Sequence, residues 1–194
     1  MDPDDIPASG LVVDEDRGGL PYHLVHGESL VAAAAWAAGA AGVDLLDLTT
    51  PWDVAADRGT PLVLHDSLCP MTPPDFIARC VEICTMRDEP VVAVRPVTDT
   101  VKQVEDGVLG TTVDRDALVA VCSPVVLPPR LVAELAAKGG LPALPTLDFT
   151  GLLGWLRTSY DVQLVDAPAA ARRVASDEDL RVLEAMTDPR DADL

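Results

Sequence analysis

ESLVAAAAWAAGAAGVDLLDL, residues Glu28–Leu48, is the stretch whose reading decides the fold. Glu28–Ala41 is alanine-rich, with Leu30 and Trp36 as its larger apolar anchors, and Gly42 follows as a stop signal, which predicts a helix. Val43–Leu48 then predicts a strand, and upstream Gly10–Asp14 (GLVVD) predicts another. A strand, a crossover helix and a second strand make a parallel-sheet unit.

The pattern continues outward from this unit. Pro61–His65 and Pro90–Val97 read as strands on either side of a helix over Pro73–Met86, whose Phe76, Ile77, Cys80, Val81 and Cys84 fall on one inward face. Further on come a strand at Leu118–Cys122, a helix at Pro129–Lys138, a Gly/Pro-rich turn at Gly139–Pro145, a helix near Phe149–Thr158 and a strand at Asp161–Val165. A last helix opens at Ser176-Asp177-Glu178-Asp179, an N-cap followed by first-turn acids. The expected class is α/β: an open, mostly parallel sheet covered on both faces, with ligands bound beyond the carboxyl ends of its strands. Thr98–Val113 breaks the alternation. Its alternating residues around Asp106-Gly107 predict a hairpin arm with too little apolar surface for its own core, so it should pack on something else.

Length and charge narrow the classes. At 194 residues the chain is expected to form one domain, with acidic tails at 1–9 and 188–194. Its 48% hydrophobic and 24% charged residues fit a packed domain rather than a disordered or fibrous chain. The net charge of -18 opposes nucleic-acid phosphates and anionic lipid, so neither nucleic acid nor membrane is an expected partner. No apolar run is long enough for a membrane helix, and the acidic N-terminus is unlike a secretory signal, which leads us to expect a cytoplasmic protein. The four cysteines include no CxxC spacing, so reduced, buried thiols are expected rather than a zinc site or disulfides.

Several segments, in order, resemble the methylerythritol phosphate cytidylyltransferases of isoprenoid biosynthesis. They are Leu20-Pro21-Tyr22-His23-Leu24 with Gly27-Glu28, Leu64-His65-Asp66-Ser67-Leu68-Cys69-Pro70, Val97–Lys102, Thr112-Val113-Asp114-Arg115, and Arg173-Val174 leading into Glu178-Asp179-Leu180. No one segment is specific, but the ordered set spans most of the chain. The resemblance implies a Rossmann-like nucleotidyltransferase sheet of the nucleotide-diphospho-sugar transferase type, with a β-arm that clasps a second copy in a homodimer. It implies the joining of CTP to methylerythritol phosphate, with release of pyrophosphate and with Mg2+ on the triphosphate. By position, Asp66 would help hold the metal, and Thr100 and Arg115 on the arm would meet the sugar phosphate in the partner's pocket. Gly18, Gly19 and Ser123 would face the nucleotide, and Arg17 and Arg173 would be the catalytic cations, Arg173 standing where the family keeps a lysine near the end of the chain. Plainer readings stay open: Asp66 as a turn cap, Arg115 as a surface residue paired with Asp114 or Asp116, and Arg173 as a solvated cation.

The same comparison exposes departures. Where the family has a Gly-rich basic loop ending in Pro-Lys, this chain has Asp14-Glu15-Asp16-Arg17-Gly18-Gly19 and, at the lysine position, Tyr22. At an effective dielectric near 20, a carboxylate ~5 Å from a phosphate charge opposes it by about 3 kcal/mol. Cys69 replaces an arginine, Ser123-Pro124-Val125 replaces a Thr-Pro-Gln segment, the acidic segment at Thr146–Gly151 is degraded, and a connecting stretch between Leu48 and Pro61 is shortened. By analogy with other phosphoryl transfers, each lost transition-state cation costs roughly 10³ to 10⁵ in rate. Two readings follow: a weak or inactive cytidylyltransferase, or a catalytically silent dimeric binding or regulatory protein on the same fold. His23, His26 and His65 are expected to be structural.

Overall fold

The computed structural model describes residues 6–47, 49–140 and 144–188. The strands are β1 (Ala8–Val13), β2 (Leu24–Val25), β3 (Glu28–Ser29), β4 (Val43–Leu45), β5 (Leu62–Asp66), β6 (Val91–Pro96), β7 (Lys102–Glu105), β8 (Val108–Thr112), β9 (Val119–Leu127) and β10 (Gln163–Asp166). The helices are α1 (Leu30–Ala40), α2 (Trp52–Asp57), α3 (Pro74–Arg87), α4 (Pro129–Ala137), α5 (Phe149–Leu156) and α6 (Asp177–Met186). Six strands form the central sheet in the order β10-β6-β9-β5-β1-β4. β1 is parallel to β4 and β5, and β10 to β6, whereas β9 runs antiparallel to both β5 and β6. The mostly parallel α/β sheet read from sequence is thus present.

The core has two layers because the strands present alternate residues to opposite faces. Leu62 and Leu64 of β5 with Val92 and Val94 of β6 pack beneath α2, α4 and α5, where Trp52, Leu131, Leu135, Phe149 and Leu152 are buried. Val63, Val91, Ala93 and Val126 face the other way, onto Ala37 and Ala38 of α1 and all five of the expected inward residues of α3. A smaller cluster ties Leu30 and Leu68 to Val174, Leu180 and Leu183, docking α6 against the loop that follows β5.

Several boundaries differ from the sequence reading, each for a local reason. The first strand begins at Ala8, inside the expected tail, because Ala8 and Ser9 pair with Val43 and Leu62 and are buried. Gly10 permits this close strand pairing: a Cβ there would lie 2.4 Å from Val43 Cγ1. Residues 1–5 and 189–194 of the expected tails and residues 141–143 of the Gly139–Pro145 turn lie outside the described residues, as does Leu48 of the expected strand at Val43–Leu48. Glu28 and Ser29 are not helical. They pair with Leu24–Val25 across a His26-Gly27 turn with positive φ at both positions, and Ser29 caps α1 by accepting the Ala32 N–H. Trp36 is no core anchor: the buried stripe of α1 is Leu30, Ala34, Ala37 and Ala38, and Trp36 stands off it, 71% exposed.

The shortened connection holds a helix, α2, whose Trp52 is buried against the sheet. The strand expected at Leu118–Cys122 runs on to Leu127. Its register against β6 jumps from Val94↔Val121 to Val92↔Val125, so Pro124 sits in an irregularity where no ladder hydrogen bond is required of it. The arm is a two-stranded hairpin as expected. β7 and β8 meet at Asp106-Gly107, both with positive φ, and every residue of the two strands is exposed. No helix among the described residues is long and apolar enough to cross a membrane.

Candidate active site

Asp66 is the last residue of β5, at the carboxyl end of the parallel strands, where an open α/β sheet builds its ligand site. Its side chain is almost wholly buried and fully engaged. Oδ1 accepts Arg17 Nε–H and the Leu68 N–H, each at 3.0 Å, and Oδ2 accepts Arg173 Nε–H at 3.0 Å. Arg17 reaches it from the loop after β1, the neighbouring strand that pairs Val13 with Asp66. Arg173 reaches it from the segment after β10, which is pinned by a Val174 N–H to Leu68 carbonyl bond of 2.7 Å. The structure therefore brings Asp66, Arg17 and Arg173 together as one charge cluster.

The two arginines are unlike. Arg17 also donates from its two outer nitrogens, one to the carbonyl of Glu15, at 3.0 Å, and one to that of Leu147, at 2.8 Å, and its side chain is only 4% exposed. Arg173 is 37% exposed, and among the described residues only its Nε is engaged, so its outer nitrogens face solvent. Removing a carboxylate from around a buried guanidinium is costly, so Asp66 is the counter-ion that permits Arg17 to be inside. With Arg17 turned in, the loop shows Glu15, Asp16, Gly18 and Gly19 to the outside; a Cβ on either glycine would touch nothing. Tyr22 adds a long 3.4 Å contact from its hydroxyl to Asp14 Oδ2.

Ser123, expected beside a nucleotide, is buried under this cluster. Its Oγ accepts the Asp66 N–H at 2.9 Å and lies 2.5 Å from His65 Nδ1. His65 is enclosed, and burial lowers its pKa to about 4 against the opposing pull of Asp66, so the ring is neutral at pH 7. His65 Nε2 has no hydrogen-bond partner among the described residues. Cys69, also enclosed, is pushed well above the usual thiol range by burial and by Asp66, which makes it an inert thiol. The other three cysteines are free and buried too. His23 and His26 do not join the cluster: His23 Nδ1 contacts Asp177 Oδ1 at 2.9 Å, and His26 Nε2 contacts Thr187 Oγ1 at 2.7 Å.

Beyond Arg173 a cavity of about 260 Å³ opens between the ends of β6 and β9, and its lining includes Arg95, Thr98, Asp99, Cys122, Arg172 and Arg173. Arg172 is tied to Asp179 at 3.1 Å, whereas Arg95 has no hydrogen bond or ion pair among the described residues. Three arginines and one carboxylate residue, Asp99, thus line a small space in a chain of net charge -18, a set whose cationic excess suits an anion. The sequence reading missed Arg95 and Arg172. The signal was there: Arg95 stands at the carboxyl end of a strand, next to Pro96, and Arg172 precedes the residue already singled out. Thr100 and Arg115 lie apart from this cluster, around a separate cavity of about 470 Å³ at the root of the arm. Arg115 there donates to the Thr98 carbonyl rather than to Asp114 or Asp116.

Magnesium is commonly held by one or two carboxylates together with substrate phosphates, and Asp66 is the buried carboxylate at this end of the sheet. Both oxygens of Asp66 face guanidinium donors, and among the described residues no group of three or more His, Cys, Asp or Glu could hold a metal.

Comparison with known proteins agrees with this architecture. The family profile described as 2-C-methyl-D-erythritol 4-phosphate cytidylyltransferase matches residues 52–188. The enzyme of that name from Corynebacterium glutamicum (strain R) is 32% identical over 187 residues, covering 92% of this chain and 67% of the relative. The one from Corynebacterium diphtheriae is 29% identical, covering 87% and 64%. The chain thus spans 64% to 67% of the length of these relatives. The crystal structure of the cytidylyltransferase from Thermus thermophilus superposes with a TM-score of 0.67 at 24% identity, covering 92% of this chain and 98% of that one. On the profile match and the corynebacterial identity together, the chain belongs to the 2-C-methyl-D-erythritol 4-phosphate cytidylyltransferase family.

Proposed function

We propose that this protein keeps the sugar-phosphate half of a cytidylyltransferase site and has lost most of the strength of its nucleotide half. The reaction is the family's: the phosphate oxygen of methylerythritol phosphate attacks the α-phosphorus of CTP, a new P–O bond forms, and the bond to pyrophosphate breaks. In this chain the acceptor phosphate would rest on the outer nitrogens of Arg173, with Arg95 and Arg172 completing a cationic wall. Fixed cations there lower the cost of bringing a dianion next to a polyphosphate.

The observation that carries the weakness is the inward turn of Arg17. It is the one basic residue between Val13 and Tyr22, and it turns inward, each of its three nitrogens donating to an inner acceptor, on Asp66, Glu15 and Leu147. The departing pyrophosphate would therefore meet Asp14, Glu15 and Asp16 rather than cations. Gly18 and Gly19 still offer exposed backbone, but backbone donors alone do not offset three carboxylates.

We further propose that the arm pairs two copies. Val104, Val108 and Leu109 are exposed on a hairpin without a core of its own, and a second copy would cover them while bringing Thr100 and Arg115 to the neighbouring pocket. Light scattering at micromolar concentration should give the dimer mass, and deletion of Lys102–Gly110 should give the monomer.

The test of function is a pair of measurements with purified protein. Calorimetric titration with CTP and magnesium is expected to show binding weaker than about 1 mM, and pyrophosphate release with methylerythritol phosphate and CTP is expected to be slow. Micromolar CTP binding with rapid turnover would overturn the weakened-nucleotide reading. Absence of any release, with methylerythritol phosphate still bound, would favour the second reading, a silent dimeric binding protein, which the same acidic loop supports.

A further inference from the structure

A third cavity, about 720 Å³, lies away from Asp66, between α1, the β2–β3 hairpin and the loop that leads into α3. Its size falls within the range of small-molecule sites. Its walls are apolar: Val25, Ala33, Met71 and Pro73 are among them, and the alanines of α1 form a low floor that leaves the space open. Trp36 stands at its edge with its ring 71% exposed, although nothing in the packing of α1 needs a tryptophan at that position. A large exposed aromatic over a concave apolar wall is a feature of binding sites rather than of inert surface.

The polar groups of this cavity are few and of one sign. Among the described residues Glu28 is its only formally charged lining residue, and its carboxylate makes no hydrogen bond or ion pair there. No Lys or Arg among the described residues lines the space. The Thr72 hydroxyl is already committed to the Cys69 carbonyl at 2.8 Å, and His26 holds Thr187. What remains for a ligand is an indole face, an apolar wall and one unpaired anion. These favour a cation with an apolar body: the ring quadrupole attracts positive charge, the wall covers hydrocarbon, and the carboxylate supplies the counter-charge. A net charge of -18 enriches cations near the surface and repels anions.

We propose that this cavity binds a lipophilic organic cation, such as an aryl-alkyl quaternary or protonated amine, with Trp36 and Glu28 as its recognition pair. It does not depend on the Asp66 cluster, so it stands or falls separately from the cytidylyltransferase reading.

The full-length protein should be titrated by calorimetry and tryptophan fluorescence with benzyltrimethylammonium, with neutral benzyl alcohol and anionic phenylacetate as comparisons. The cation is expected to saturate with a Kd of about 1 mM or tighter, and the neutral and anionic probes to bind at least tenfold more weakly. Glu28→Gln should weaken the cation about tenfold without changing benzyl alcohol, and Trp36→Ala should abolish selective binding. Both positions are exposed, and alanine suits α1, so these variants should fold; circular dichroism of each checks that. Three results would each overturn the proposal: no saturation by about 10 mM, equal binding of the three probes, or cation binding unchanged in both folded variants.

Discussion

Asp66 is bordered in the sheet by β1 on one side and by β9 and then β6 on the other, and the loops on the two sides have taken opposite charge. On the β1 side stand Asp14, Glu15 and Asp16, with their one arginine folded inward. On the β6 side Arg95 at the end of β6 and Arg172 and Arg173 from the segment after β10 outnumber Asp99 around a small cavity. Both loops sit at the same end of one scaffold, so the fold constrains neither sign. The comparison predicts a protein that holds a small phosphorylated acceptor better than it holds a nucleoside triphosphate.

The largest effect should come from breaking the charge cluster that divides the two sides. Asp66→Asn removes the counter-ion of Arg17 and leaves a guanidinium almost completely enclosed, at a cost of about 3–5 kcal/mol. Urea unfolding measures it. Pairing Asp66→Asn with Arg17→Met should restore much of the loss, because the buried charge then disappears along with its partner. A loss under about 1 kcal/mol in the single variant would mean that the cluster does not hold the acidic loop in place.

Next in size is a pH effect from His65, directly below the cluster. Its folded pKa of about 4 lies beneath the ordinary 6.5, so the unfolded chain takes up the proton first. The native state is therefore at full strength above about pH 6.5, and its stability falls as pH drops toward 4. A shift of that size corresponds to about 3 kcal/mol. Unfolding midpoints at pH 7 and pH 4.5 check the sign, and His65→Gln should flatten the difference. Stability rising over that interval would contradict a buried neutral ring.

The acidic side itself can be rebuilt. Replacing Asp14–Gly19 with a Gly/Arg loop and adding Tyr22→Lys should strengthen CTP binding by tenfold or more at low salt, with much of the gain lost at high ionic strength because Glu15, Asp16, Gly18, Gly19 and Tyr22 are exposed. No gain in calorimetry would mean that the nucleotide half is limited elsewhere, for example at Cys69, where the resemblance expects an arginine.

How much of this was legible in the sequence follows from the range of each interaction. The alternation of strands and helices, the inward face of α3 and the hairpin at Asp106-Gly107 are local patterns, and they stand in the structure. Trp36 misled because hydrophobicity marks what can be buried, not which face of an alanine-rich helix meets the sheet. The long β9 was cut short at Pro124 because a proline reads as a strand end until its partner strand shows the irregularity that accommodates it. In the site, the sequence singled out Asp66, Arg17 and Arg173 one by one. Their union into one cluster joins residues 49 and 107 positions apart, a distance no local pattern spans. Ser123 shows the same limit: position marked it for a ligand, but the fold sealed its hydroxyl between His65 and the Asp66 amide.

Arg95 offers the finest test of the two-sided comparison. It is half-buried at the end of β6 and has no hydrogen bond or ion pair among the described residues, so its guanidinium is available to a ligand and does little for the fold. Arg95→Ala should therefore leave urea stability within about 0.5 kcal/mol. Binding of methylerythritol phosphate should weaken about tenfold, as expected for one charge-assisted contact of three, while CTP affinity should stay unchanged. Arg95→Lys should recover only part of the loss, since an ammonium keeps the charge but not the planar fork. If CTP and the sugar phosphate weakened equally, the cavity would serve the nucleotide as well, and the division of the site into an acidic and a basic half would be wrong. If neither changed, the anion site would rest on Arg172 and Arg173 alone, and Arg172 would first have to leave Asp179 to contribute.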